Sequence, residues 1–223
     1  MSCKYKPLEE WNGILGGKDP IFILGNGPSL TDNDLSLLDP YLTIGINRVC
    51  SSYEPTVLFW QDRSVWATAK REIQKSDSIK VTRKGMVQPS LCPDYLFFIL
   101  QGNRKTPYPS QCQTTKLQGQ NITHGVTTQF ADAMSPSHII FLGIDCKFRG
   151  GKTDFYGNNK FHRPDMLDRC ADISNRIKVG CKVPIYNCGE SDCWRTQKLE
   201  DVIAEINPPK RDKEYFKKLF AKE

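Results

Sequence analysis

The chain is predicted to be an α/β protein, a single domain whose mostly parallel sheet is covered by helices on both faces. Three observations lead there. The 223 residues, 39% hydrophobic and 25% charged, suffice for one domain with a substantial core. Short apolar runs of strand length alternate with segments of helical period. Polar residues recur directly after those runs, at what would be one edge of the sheet.

Taken in order, strands are expected near "IFIL" (21–24), "LTIGI" (42–46), "TVLFW" (56–60), "IKVT" (79–82), "DYLFFIL" (94–100), "HIIFLG" (138–143) and "VPIYN" (183–187). The fifth is expected at an edge or in an insertion. Pro28-Ser29-Leu30 would open a helix after the first strand. Longer helices fit 62–75, 124–135, 164–178 and 196–206. In the third of these, Leu167, Cys170, Ile173 and Ile177 recur at helical spacing, and Pro164 stands where a first turn tolerates it. Two polar stretches, near 101–122 and 147–163, lack periodicity and are expected to be mobile insertions of a domain spanning 1–206. Residues 207–223, with six Lys or Arg against three acids, form a basic tail whose Tyr215, Phe216, Leu219 and Phe220 make an apolar stripe.

The net charge of +6 suits phosphorylated ligands, nucleic acid or an anionic surface without choosing among them. No apolar run approaches the roughly 20 residues that span a bilayer. "MSCKYKPLEEW" lacks the apolar core of a secretory signal, so a cytoplasmic location is expected. Nine scattered cysteines without a CxxC pair read as reduced thiols. Cys181, Cys188 and Cys193 lie close in sequence, but their spacings match no common zinc finger. Asp32-Asn33-Asp34 has the pattern of a metal-binding DxD, yet acids at a helix start also stabilise the macrodipole. No metal site and no required cofactor is expected.

Candidate site residues follow the apolar runs: Gly25-Asn26-Gly27, Asn47-Arg48, Gln61-Asp62-Arg63 and Asp145. Glycines at 25 and 27 would let the backbone approach a ligand, and the next helix start would favour an anion. The Asn26 amide can donate and accept, as a sugar hydroxyl or base edge requires. The plainer alternative is a tight turn with Asn26 in the left-handed region. "GNG" is neither GxGxxG nor a Walker motif.

"FILGNGPSL", "IGINRV" and "LFWQD", followed by "ITHGVTTQFADAMSPSHIIFLGIDCKF" and "NNKFHRPDMLDRCADISNRIKVGCKVPIYNC", occur in that order. Over about residues 20–195 this series resembles the bacterial lipooligosaccharide sialyltransferases. The GNGPSL-type turn is also similar to those of the flagellin-modifying motility accessory factors and the hydroxymethylpterin pyrophosphokinase-like proteins. The resemblance implies a Rossmann-like nucleotide-binding domain of a GT-A-like variety, and transfer of a sugar from a nucleotide-sugar, CMP- or UDP-linked, to an acceptor hydroxyl. It implies that Gly25, Asn26, Gly27, Ser29, Asn47, Gln61, Thr123, His124 and Gly125 hold the donor nucleotide, and that His162 is the general base, with Asp145 next in line. Cys146-Lys147-Phe148 replaces the family's first phosphate-steadying tyrosine; Tyr156 stands for the second, and Lys147, Arg149 or Lys152 would serve instead. The acceptor is a glycan or small molecule. Relatives in phage genomes suggest hydroxymethylated DNA as an alternative, and the remaining rivals are pterin phosphoryl transfer, with Asp145, Asp62 and Asp32 as Mg²⁺ ligands, and a non-catalytic nucleotide binder. The oligomeric state, a homo-oligomer included, stays open.

Overall fold

The computed structural model describes residues 8–85, 94–100, 105–119, 122–157 and 164–221. Eight parallel strands form one sheet: β1 (Ile21–Leu24), β2 (Leu42–Ile46), β3 (Val57–Trp60), β4 (Ile79–Arg83), β5 (Tyr95–Leu100), β6 (Lys116–Gln118), β7 (Ile139–Leu142) and β8 (Ile185–Asn187). Their spatial order is β6-β5-β4-β3-β2-β1-β7-β8. The chain steps outward from β1 to β6, then returns to the other side of β1 to lay down β7. The order therefore reverses between β1 and β7, where the loops beyond the two strands part and leave a crevice.

Side chains alternate across the strands and fill two cores. Ile21 and Ile23 join Ile44, Val57, Phe59, Val81 and Phe141 on one face, beneath α2 (Thr123–Ala133), α3 (Pro164–Gly180) and α5 (Lys213–Phe220). On the other face, Phe22, Leu24, Ile140 and Leu142 pack with Leu30, Leu38 and α4 (Leu199–Ile206), and α1 (Arg63–Lys75) covers Leu58 and Trp60. Such coverage explains why the central strands read as continuous apolar runs. No helix among the described residues is long and apolar enough to cross a membrane.

One expectation needs correction, and two segments carry structure that the sequence reading did not assign. Pro28 opens a 3₁₀ turn, Pro28–Asp32, and a second such turn over Leu35–Leu38 follows in place of a helix. The polar stretch 101–122 contains β6, and its Tyr108 and Leu117 are buried in the larger core. The tail is likewise part of the domain. Phe220 stacks on Trp11 at 4.1 Å between ring centres, Phe216 is buried, and the Tyr95 hydroxyl donates to the Phe220 carbonyl.

Candidate active site

A cavity of about 430 Å³ opens at the carboxyl edge, over the ends of β1, β2 and β7. Gly25, Asn26, Gly27, Asn47, Arg48, Asp62, Thr123, His124, Asp145, Cys146, Lys147, Tyr156 and Cys170 are among its lining residues. Its size is ordinary for a small-molecule site.

The glycines of the first turn answer to the neighbouring strand end. Past β1 the chain stays paired with the turn after β7, with Gly25 N–H donating to Leu142 O at 2.7 Å and Gly27 N–H to Gly143 O at 2.8 Å. A Cβ at Gly25 would fall 2.3 Å from Gly143 O, and one at Gly27 2.5 Å from the Asp145 carboxyl carbon. Those positions are filled by protein, so close approach of the two strand ends, and not of a ligand, requires glycine here.

The two asparagines divide their tasks in a way the motif does not reveal. Asn26 is absent from the positive-φ residues, and its side chain bridges to β2: Nδ2 donates to Ile46 O at 3.0 Å, and Oδ1 accepts from Arg48 N–H at 3.3 Å. Asn47 is the left-handed residue, with φ 57°. Among the described residues its buried Oδ1 has no partner, and neither has the buried Nε of the adjacent Arg48. The Arg48 guanidinium lies over the Tyr156 ring, 4.4 Å from its centre, and its Nη2 is 3.8 Å from Glu72.

Asp145 is 2% exposed, and both its oxygens accept from Ser29: Oδ2 from the backbone N–H at 2.8 Å and Oδ1 from the hydroxyl. Burial raises its pKa, and the Ser29 bonds oppose that rise. Ser29 and Asp145 brace the two turns, and Ser29 itself has no place among the lining residues. Gln61 is also behind the wall, donating to Thr123 Oγ1 at 3.3 Å, while Thr123 Oγ1 lies 3.4 Å from Asp62 Oδ2. Burial raises the pKa of Asp62. Gly125 is buried within α2, one residue beyond the wall.

The expected phosphate-binding cations are largely engaged elsewhere. Lys147 borders the cavity but pairs with Asp192 at 3.1 Å and Glu190 at 3.6 Å. Arg149 pairs with Asp32 and with Glu190, and Lys152 exchanges backbone hydrogen bonds with Arg149 away from the wall. The DxD acids are occupied too, Asp32 by Arg149 and Asp34 as the cap that accepts from Ser36 N–H. Arg48, one of the candidate residues after the strands, is the lining cation that sequence reasoning did not assign to the phosphate. Its signal was its place beside Asn47 at a strand end. Thr153 and Asp154 also line the cavity, from the stretch expected to be a mobile insertion, which is tied down where Phe155 N–H donates to Asn26 O at 2.7 Å. His162 lies outside the described residues.

His124 is in the first turn of α2, fully buried, with its pKa pushed down to about 4 by desolvation, so the imidazole is neutral near pH 7. Its Nε2 is 3.4 Å from the Ser174 hydroxyl on α3. A ring nitrogen of His124 and the sulfurs of Cys146 and Cys170 all lie within 4.8 Å of one another. The Cys146 thiol is in hydrogen-bonding contact with those of Cys170 and Cys193, and its pKa is strongly raised, with the Cys170 bond the largest cause. The sequence-adjacent trio does not assemble. Cys188 packs in the opposite core, while Cys181 donates to Val183 O.

Fold and cavity together define a Rossmann-like α/β protein with a cavity at its strand-order switch point. No family model and no curated protein matches the chain. Among solved structures, the sialyltransferase CstII from Campylobacter jejuni, in complex with the substrate analogue cytidine-5'-monophosphate, aligns with a TM-score of 0.43 and 12% identity. The alignment covers 76% of this chain and 79% of that one.

Proposed function

We propose that the chain is a glycosyltransferase that binds a nucleotide-activated sugar in this cavity and passes the sugar to an acceptor hydroxyl. The observation that carries this is the pair Asn47 and Arg48, consecutive lining residues with a buried acceptor and a buried donor that no group among the described residues satisfies. An unsatisfied buried polar atom costs about 1–3 kcal/mol, which a ligand bringing a hydrogen-bond donor and an anion would recover. A nucleotide-sugar brings both, the donor on its base or ribose and the anion as its phosphate. The order of sequence motifs supports the same class of ligand.

In this scheme the nucleotide meets Asn47, and its phosphate meets Arg48 with Tyr156 beside it. The start of α2 at Thr123 adds the positive end of a helix dipole. The acceptor oxygen attacks the anomeric carbon as the bond from that carbon to the phosphate oxygen breaks. The electron pair leaves with the nucleotide, where Arg48 offsets the developing charge. The acceptor proton goes to His162, whose imidazole suits a base working near neutrality. In the chain His162 falls between Tyr156 and Leu167, both lining residues. Asp145 is the weaker candidate for the base because Ser29 already occupies both its oxygens.

The donor is a CMP- or UDP-sugar and the acceptor a glycan or small molecule. Against a DNA acceptor, three of the tail's six cations are engaged within the fold: Arg211 pairs with Asp19 at 3.1 Å, Lys217 with Glu214, and Lys213 donates to Glu54 O. Against phosphoryl transfer, the carboxylates of Asp32, Asp62 and Asp145 gather into no ligand set among the described residues.

Thermal unfolding of the whole chain with CMP, UDP, GDP and ADP and their sugar conjugates tests the proposal. A ligand at 100 times its Kd adds about 2.7 kcal/mol to stability, so one base should raise the melting temperature well above the others. If no nucleotide does so at millimolar concentration, the cavity serves another ligand.

A further inference from the structure

We propose that His124, Cys146 and Cys170 form a binding site for a thiophilic divalent metal, zinc by its chemistry, with a fourth coordination position open to the cavity. Three elements distant in sequence deliver these side chains: the first turn of α2, the turn after β7, and the second turn of α3. Their donor atoms, one imidazole nitrogen and two sulfurs, lie within 4.8 Å of one another. A point within about 2.8 Å of all three therefore exists. Zinc binds nitrogen at about 2.0–2.1 Å and sulfur at about 2.3 Å, so a contraction of roughly half an ångström closes the site.

The surroundings fit a ligand set better than a chance meeting of one imidazole and two thiols. Cys146 is held at φ 55°, a left-handed conformation that glycine adopts more readily. Ser174 Oγ lies 3.4 Å from His124 Nε2 and 3.7 Å from the Cys146 sulfur, a polar contact beside both groups. A nitrogen and two sulfurs select zinc over magnesium or calcium, which take oxygen ligands. Metal binding releases the thiol protons, and the two thiolates neutralise the ion.

All three residues line the cavity, whereas Cys193, which touches Cys146, is absent from both the lining and the ligand group. Three protein ligands with an exposed fourth position are the arrangement of zinc sites that bind a small molecule or water. The fourth ligand is thus water, or an anionic group of whatever occupies the cavity. The inference is independent of the transferase proposal, because metal binding is read without substrate.

The test uses the whole chain, reduced and stripped by chelator, titrated with Co²⁺. One equivalent should bind, with the charge-transfer absorption of cobalt–thiolate ligation and the visible bands of tetrahedral cobalt, and Zn²⁺ should displace it. Cys146→Ser and Cys170→Ser should each weaken binding at least about 100-fold, while Cys193→Ser and Cys181→Ser leave the spectrum unchanged. X-ray absorption at the zinc edge of the unmodified protein should find two sulfur neighbours, with nitrogen or oxygen completing the shell, which keeps the test decisive if a variant fails to fold. No charge-transfer band at stoichiometric cobalt overturns the site, as does a Cys146–Cys170 disulfide that persists when zinc is supplied. Three sulfur neighbours, or loss of binding in Cys193→Ser, overturns the open fourth position.

Discussion

Ser29 satisfies both oxygens of the Asp145 carboxylate, one through its backbone N–H at 2.8 Å and the other through its hydroxyl. The contact joins the turn after β1 to the turn after β7 and so holds the edges of the crevice at a fixed separation. Ser29→Ala removes one of two donors to a buried charge. It should cost about 1.5–3 kcal/mol, the range for hydrogen bonds to charged groups, as measured by urea unfolding at pH 7. Burial raises the Asp145 pKa and the Ser29 hydroxyl lowers it, so the variant carboxyl should protonate at higher pH than the parent's. The hydroxyl favours the ionised form, so its contribution is present above the native pKa and fades as pH falls through it. The stability gap between parent and variant should therefore narrow in acid.

Asn26 and Asn47 should separate cleanly by experiment. Asn26→Ala strips partners from Ile46 O and Arg48 N–H and should lower stability by about 1–3 kcal/mol. Asn47→Gly removes an oxygen that has no partner among the described residues and keeps the left-handed turn, so the ligand-free protein should melt at nearly the parent temperature. Calorimetric titration with the nucleotide found in the screen should show the reverse ranking, with Asn47→Gly losing about 1–3 kcal/mol of binding. Equal losses of affinity would return Asn47 to a purely structural place in its left-handed turn.

Arg48 and Arg149 offer a second contrast. Arg48→Gln should cut kcat/KM by at least about 100-fold, the scale of removing one group that stabilises charge in the transition state. Arg149→Gln should change it little, because that guanidinium is exposed and paired with Asp32 and Glu190. Steady-state assays with the donor decide between them.

Loss of the tail should unfold the protein before it alters any binding. Phe216→Ala empties a fully buried position in the larger core and should cost about 3–5 kcal/mol. Chain truncation after Ile206 should be worse. Denaturant curves with an unchanged midpoint would mean that α5 is dispensable to the core.

As general base, His162 is expected to contribute about 100- to 10,000-fold to turnover. His162→Ala should lose that factor in kcat while donor affinity, read by calorimetry, stays near the parent value. A variant that keeps more than about a tenth of the activity would place the base elsewhere, with Asp154 and Asp62 the lining carboxylates to examine next.

Local chemistry made most of the framework legible in the sequence. Apolar runs of strand length located seven of the eight strands, since a strand buried on both faces has no room for polar side chains. β6 was missed because Lys116–Gln118 is short and polar, and only pairing with β5 makes it a strand. Polar residues after the strands marked the edge that carries the cavity, and Asn47, Thr123, His124 and Tyr156 line it. Tertiary structure alone decided which polar atoms the fold itself engages: Asn26 and Asn47 look alike in a sequence, but the end of β2 consumes the amide of one, and the Oδ1 of the other has no partner among the described residues. Likewise, the close trio Cys181, Cys188 and Cys193 disperses across the two faces, while His124, Cys146 and Cys170, up to 46 positions apart, converge. The return of the chain to the far side of β1 contributes to that convergence, because the turn after β7 brings Cys146 to His124 on α2 and Cys170 on α3. Non-local pairings of this kind are set by how the whole sheet assembles, and short stretches of sequence carry no record of them.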